Sequence, residues 1–391
     1  MTDETRAVEL VDALASELRL LTKQIHDAPE MGGLEFKACA WQEELLGKYG
    51  FAVESNFCGL ATAYRASYQG RRQGAKIAFL AEYDALPGLG HGCGHNLIAM
   101  AAVGCGIVCR EFADKYGGRI DVIGTPAEET SNGKVPMAAK GVFKQYDAVM
   151  MVHPAFTNAE AVCTMALDGY QIEFFGKAAH AAIAPHEGCN ALDAMINFYN
   201  MVNAMRQEVK SDARIHGIIT DGGKAANIIP DYTAAKVYIR ANHAAYVKEI
   251  AAKMRNCAEG AALGTGCTCR MIPCEVSVKD TRVNRELNEL AVSCVEKFTV
   301  EPLRRMEKGF AFGSSDFGDV SYEAPAIQLL CRAGDYPDPL GGLHTPEMVE
   351  ASASEYAMEN TLNFVKGLSL TAAELMAHPE HLLRIRTEVK K

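Results

Sequence analysis

The stretch on which the fold turns runs from residue 75 to residue 124. It opens with Ala75-Lys76-Ile77-Ala78-Phe79-Leu80-Ala81, closes with Ile120-Asp121-Val122-Ile123-Gly124, and holds between them an Ala-, Met- and Val-rich segment from Asn96 to Phe112. The two short apolar runs read as buried strands and the longer segment as a helix, the strand-helix-strand unit from which parallel sheets are built. Ala61 to Tyr68 adds another strand. Upstream, Val8, Leu10, Val11, Leu14, Leu18 and Leu21 recur at helical spacing between Thr5 and Lys23, and a second helix is expected from about Glu35 to Tyr49. An α/β domain is therefore expected, with a mixed, mostly parallel sheet flanked by helices.

Beyond Gly169 the pattern changes to strand 171–176, helix 190–209, strand 214–220, strand 232–240, helix 244–262 and strand 268–278. That order is βαββαβ, the ferredoxin-like split arrangement. After Arg282 the chain resumes helices at about 286–297 and 346–366, with a strand-like 326–330 between them. These have no third core of their own, so residues 1–168 and 282–391 are expected to form one domain and residues 169–281 an insertion.

Composition bounds the function. A chain of 391 residues exceeds what a single core of about 250–300 residues organises, so two domains are expected. With 39 basic against 49 acidic residues the formal net charge is −10, which argues against a nucleic acid or an anionic membrane as partner. The longest apolar runs, such as Ile98 to Val108, fall short of the roughly 20 residues of a membrane helix. The opening Met1-Thr2-Asp3-Glu4-Thr5-Arg6 has neither a basic nor an apolar leader region, from which a cytoplasmic location is expected. Thirteen scattered cysteines, an odd number, do not suggest a disulfide framework, and Cys267, Cys269 and Cys274 lack the paired spacing of a structural zinc site.

Four segments carry chemistry. In residues 82–96, Cys93 and His95 flank Gly94 and face one way in a locally extended chain, a thiolate and an imidazole suited to a borderline divalent ion. The bland alternative is a glycine-rich turn whose His caps a helix. Glu128 and Glu129 follow an apolar strand; one carboxylate can ligate a metal while the other takes a proton from water, or both can simply be solvated. His153 ends the apolar run Val149-Met150-Met151-Val152, and His344 sits in the loop Gly341-Gly342-Leu343-His344-Thr345-Pro346. A lone His of either kind is commonly structural, but all these residues belong to strand ends of one α/β domain, where such sheets place their sites.

The ordered segments Asp84-Ala85-Leu86-Pro87, Cys93-Gly94-His95, Pro126-Ala127-Glu128-Glu129, Gly176 to His180, and Ala226 to Asp231 resemble those of the di-metal amidohydrolases that include aminoacylase, glutamate carboxypeptidase and related dipeptidases. The likeness spans essentially the whole chain and is strongest to the branch of auxin-conjugate, hippurate and aminobenzoyl-glutamate hydrolases, in the subgroup of the β-alanyl-lysine-type dipeptidase. The resemblance implies that Cys93, His95, Glu129, His153 and His344 hold two divalent metal ions, Mn2+ or Zn2+, with Cys93 bridging. It implies Glu128 as general base toward the attacking water, Asp84 as the group orienting a histidine ligand, His180 as oxyanion donor, and Asn227 and Arg240 as binders of the substrate carboxylate and carbonyl. For Arg240 a surface salt bridge is the alternative; His186 and His216 are taken as structural. The insertion corresponds to a lid and dimerisation domain, which implies a homodimer, and the substrate to a small N-acyl-amino acid or dipeptide with a free carboxylate. The loop Gly313 to Gly318 resembles one that lines the pocket. Two positions depart from the commoner pattern: Asn96 and Glu82 stand where Asp is usual. The competing readings are a catalytically silent binding protein of the same fold and an amidase with Cys93 as nucleophile and His95 as base.

Overall fold

The computed structural model describes residues 1–307 and 311–389. The chain divides into two compact units, one of Met1–Cys163, Thr281–Phe312 and Asp316–Lys391, the other of Thr164–Asp280 and Gly313–Ser315. The first begins with α1 (Asp3–Asp27), α2 (Phe36–Lys48), β1 (Ala52–Ser55), β2 (Tyr64–Gln69), β3 (Lys76–Ala81), α3 (His95–Tyr116), β4 (Arg119–Gly124), the short α4 (Lys134–Ala139) and β5 (Ala148–Ala155).

Next come the elements of the second unit: β6 (Ala166–Phe175), α5 (Ala191–Met205), β7 (Arg214–Asp221), β8 (Tyr232–Ala241), α6 (Ala244–Thr265) and β9 (Thr268–Pro273). Their sheet runs β7-β8-β6-β9, antiparallel throughout. The βαββαβ expectation therefore holds in order and in topology. One face of the sheet buries Ile172, Phe174, Val237 and Ile239 against Phe198 of α5 and Ile250 and Met254 of α6. Asn190 caps α5 by accepting from the Leu192 and Asp193 amides, and Gly266 ends α6 with a φ of +71°.

The chain then returns to the first unit as α7 (Arg285–Val295), α8 (Phe317–Ser321), β10 (Ala326–Arg332), α9 (Pro346–Ser352), α10 (Glu355–Ala377) and α11 (Pro379–Val389). The single helix expected over 346–366 is two helices. Ala353 ends α9, and Ser354 starts α10 by accepting from the Ala357 amide.

The sheet of the first unit runs β1-β2-β4-β3-β5-β10, with β4, β3, β5 and β10 parallel and the β1-β2 hairpin antiparallel at one edge. The mixed, mostly parallel sheet is as expected. Both faces are apolar, and the period of two is visible in how they are shared. Ile77 and Phe79 of β3 and Met150 and Val152 of β5 join the core under α1, α3 and α10. Ala78, Leu80, Val149 and Met151 join the core under α4 and α8. Gly106 lets α3 lie close on the sheet, because a Cβ there would stand 2.2 Å from Val122 Cγ2 of β4.

The central helix is longer than the expected apolar run. It spans 22 residues and is long and apolar enough, by length and composition, to cross a membrane. Its apolarity has another cause: 89% of that window is buried within the protein, so this is a core helix apolar all round.

Asn96, at the start of α3, is wholly buried and ties three helices together. Its Nδ2 donates to Thr22 Oγ1 of α1 at 3.0 Å and to the Ser352 carbonyl of α9 at 2.9 Å. A carboxylate would turn an acceptor toward that carbonyl, which explains the amide in place of Asp. Asn96→Asp is expected to destabilise the fold by about 1–3 kcal/mol, read as a lower Tm by calorimetry at pH 7. An unchanged Tm would show that the hydrogen bonds to Thr22 and Ser352 contribute nothing.

Candidate metal centre

The carboxyl ends of β3, β4 and β5 and the start of α3 meet beside the boundary between β3 and β5, from which the chain runs on in opposite directions along the sheet, from β3 to β4 and from β5, after the inserted elements, to β10, the position such sheets offer to ligands. Asp84 lies just beyond β3 and is almost wholly buried. Its Oδ1 stands 2.9 Å from His95 Nδ1, and its Oδ2 accepts from the Glu129 amide at 2.9 Å. Since the Asp84 carbonyl oxygen is also 2.9 Å from His95 Nδ1, that nitrogen faces two acceptors and carries the proton. His95 Nε2 is buried, makes no hydrogen bond and faces Glu82 Oε2 at 3.3 Å.

His153 is arranged in the same way. Its Nδ1–H donates to the Pro154 carbonyl at 2.8 Å, which turns Nε2 toward Cys93 Sγ at 3.7 Å. Gly94, with a φ of +73°, makes the left-handed turn between Cys93 and His95, and a Cβ there would press on Pro154 at 2.9 Å. His344 brings its Nε2 to 3.2 Å from Glu129 Oε1 and is itself held through its amide to the Gly92 carbonyl. Glu129 Oε1 is in turn 3.9 Å from His95 Nε2.

The two glutamates are projected by a tight turn. Ala127 has a φ of +62°, a conformation that L residues rarely take, and its amide is fixed by Glu35 Oε1 at 2.7 Å while its carbonyl accepts from the Ser131 and Asn132 amides. Glu35 is wholly buried and also accepts from the Thr62 hydroxyl at 2.7 Å.

Three overlapping groups of side chains have donor atoms within 4.8 Å of one another: Cys93, His95 and His153; Cys93, Glu129 and His344; and His95, Glu128 and Glu129. The first two share Cys93. Burial and neighbouring charge act against each other on these groups. Burial pushes the Cys93 thiol up, and burial together with the nearby carboxylates of Glu82, Asp316 and Glu129 raises Glu128 well above the usual carboxylate range. Burial also opposes ionisation of Glu129, yet His344 and His95 hold it down at about 2. Sulfur, carboxylate and imidazole donor atoms converging in a buried space fit a divalent metal, which takes its ligands as thiolate, carboxylate and neutral imidazole.

Cys93, His95, Glu128, Glu129, His153, His344 and Asp84 thus converge in the first unit. His180, Asn227 and Arg240 lie in the second. There the exposed His180 accepts at Nδ1 from the Ala182 and Ile183 amides at 3.3 Å, which leaves the ring proton to Nε2, and its segment pairs with the one carrying Asn227, whose carbonyl accepts from the Ala181 amide. Arg240 is partly buried, donates through Nη1 to Ser314 Oγ at 2.9 Å, and makes no ion pair among the described residues; its Nε is buried without a partner. Glu35 and Lys134 are residues that the sequence does not single out, and Asp316 is read there only as part of the loop Gly313 to Gly318; all three make contacts distant in the chain.

A model described as a peptidase dimerisation domain matches residues 165–265. The chain is 35% identical to the Xaa-Arg dipeptidase of Mus musculus over 98% of this chain and 91% of that relative. It is 30% identical to one chain of the p-aminobenzoyl-glutamate hydrolase of Escherichia coli K12, over 91% and 88% respectively. Among solved structures, the fold matches a dinuclear metal-binding peptidase of the M20 family from Bacillus subtilis with a TM-score of 0.68 at 18% identity, over 94% of this chain and 99% of that one. It matches a putative aminohydrolase from methicillin-resistant Staphylococcus aureus with a TM-score of 0.80 at 18% identity, over 95% and 99%. With these relatives covered almost end to end, the chain belongs to the M20 family of metal-dependent amidohydrolases and peptidases.

Proposed function

We propose that the protein hydrolyses the amide bond of a small N-acyl-amino acid or dipeptide bearing a free carboxylate, using a pair of divalent ions. The observation that carries this reading is the convergence of two ligand groups on the shared Cys93, with Glu128 beside them. Cys93, His95 and His153 would hold one ion, and Cys93, Glu129 and His344 the other. The mixed sulfur, nitrogen and oxygen donors suit Mn2+ or Zn2+. When bound, such a pair polarises a carbonyl and lowers the pKa of water.

The chain's own groups manage the proton and the charge. Glu128 is kept close to Glu129 by the Ala127 turn, takes the proton from the attacking water and returns it to the leaving nitrogen. Asp84 fixes the His95 tautomer and the Glu129 backbone together. His180 offers Nε2–H to the oxygen that gains negative charge, and Asn227 and Arg240 hold the substrate's carboxylate and carbonyl. The unpartnered Nε of Arg240 supports an acceptor brought by the substrate.

The assembly is a homodimer through the second unit. Ile218 and Ile219 on the edge strand β7, and Ile196 and Met201 on α5, stand exposed there. All thirteen cysteines are unpaired, which supports a reducing, cytoplasmic compartment.

Metal content measured by mass spectrometry on protein purified without chelator should give about two divalent ions per chain. Glu128→Gln should retain them while hydrolysis over a panel of acyl-amino acids and dipeptides falls by about 10²–10⁴-fold. Activity that survives chelation and is lost on thiol alkylation would instead place Cys93 as the nucleophile. Asp84→Asn should weaken metal affinity or activity by about 10–100-fold, measured by titrating stripped protein, and an unchanged affinity would remove Asp84 from the site. Arg240→Ala should raise KM for carboxylate substrates but not for the matching carboxamides; an equal effect on both would refute its role.

A further inference from the structure

Lys134 is used by neither the fold's apolar packing nor the mechanism above. Its side chain is wholly buried at the start of α4, where an unpaired ammonium would be very costly. Its Nζ lies 2.6 Å from Glu82 Oε1 and 2.6 Å from Asp316 Oδ1, and its amide donates to Asp316 Oδ2 at 2.9 Å. Glu82 and Asp316 are also wholly buried. One cation therefore faces two carboxylates, and the cluster keeps a surplus negative charge.

That surplus is aimed. The other Glu82 oxygen, Oε2, lies 3.3 Å from His95 Nε2, the nitrogen that Asp84 leaves free. Glu82 occupies the position where Asp is usual, and its carboxylate spans from Lys134 on one side to His95 on the other. A buried ion pair of this kind contributes little net stability compared with apolar packing, so stability alone does not account for it.

We infer that Glu82, Lys134 and Asp316 form an outer charged layer of the metal centre, with Lys134 as a positioning residue that fixes one Glu82 oxygen at the His95 ligand nitrogen. The charge of this layer sets how tightly the centre holds divalent cations. The inference rests on His95 being a ligand, as proposed above.

The test is calorimetric titration of the metal-stripped, full-length protein with Mn2+ alone, with thermal unfolding followed in chelator. Glu82→Gln keeps the shape and removes a negative charge, and should weaken Mn2+ binding by about 10–100-fold. Lys134→Met removes a positive charge and should tighten it by about tenfold. Opposite signs are the signature, since a purely structural role would weaken both alongside a lower Tm. Two weakened variants, or two folded variants within about threefold of the parent, would overturn the inference. If Lys134→Met does not fold, Glu82→Gln decides alone: weakened binding supports the inference and unchanged binding overturns it. No substrate enters this titration. A parent that binds Mn2+ but hydrolyses nothing therefore sinks the proposed function and leaves the variants to judge the outer layer, whereas a parent that binds no Mn2+ sinks both.

Discussion

The Asp84 carboxylate is the joint on which the candidate centre depends. One oxygen receives the His95 Nδ1–H and the other the Glu129 amide, so a single side chain at the end of β3 ties down the first turn of α3 and the loop after β4. Each of those segments has its own anchor as well. Asn96 binds the start of α3 to α1 and α9, and Glu35 holds the Ala127 turn. The segments that carry the candidate ligands are thus held by hydrogen bonds from four separate parts of the chain. Preorganisation of this kind keeps donor atoms apart from one another and turned inward at a cost in local charge repulsion, which a cation would relieve.

The strand-helix-strand unit is legible in the sequence because its signals are local: two apolar runs of strand length around a longer helical run, each bounded by turn residues. The βαββαβ insertion is legible for the same reason, and its sheet order agrees with the reading. The break within 346–366 is not legible, because Ser354, a serine inside an apolar-periodic stretch, looks the same whether it caps a new helix or continues an old one. For α3 the difference is one of degree. Its apolar character runs past Val108, and periodicity cannot distinguish a helix buried in protein from one long enough for lipid.

In the site, the residues found from sequence share a feature: each sits in a short motif beside glycine, proline or another chemical group. Glu35 and Lys134 belong to none of the segments read as carrying chemistry, and Asp316 enters only as part of the loop Gly313 to Gly318, with no role of its own. Glu35 reaches Ala127 across 92 positions and Lys134 reaches Asp316 across 182, so their meaning exists only once the chain is folded. The resemblance marks Glu82 as a departure without a reason; the structure adds that its carboxylate meets the buried Lys134 ammonium.

The second unit interrupts the first between β5 and β10, strands that pair directly, Ala326 with Val149 through Arg332 with Ala155. On a ribosome, which releases the chain from its N-terminus, β5 therefore emerges long before the strand that covers its edge. The insertion, whose strands and helices contact one another within a contiguous stretch, can fold while that edge is still bare. His344 emerges later still. The nascent chain passes through a stage with Cys93, His95 and His153 present and His344 absent, so on the proposed ligand set only a nearly finished polypeptide would offer every ligand, and loading of both ions would belong to the end of biosynthesis.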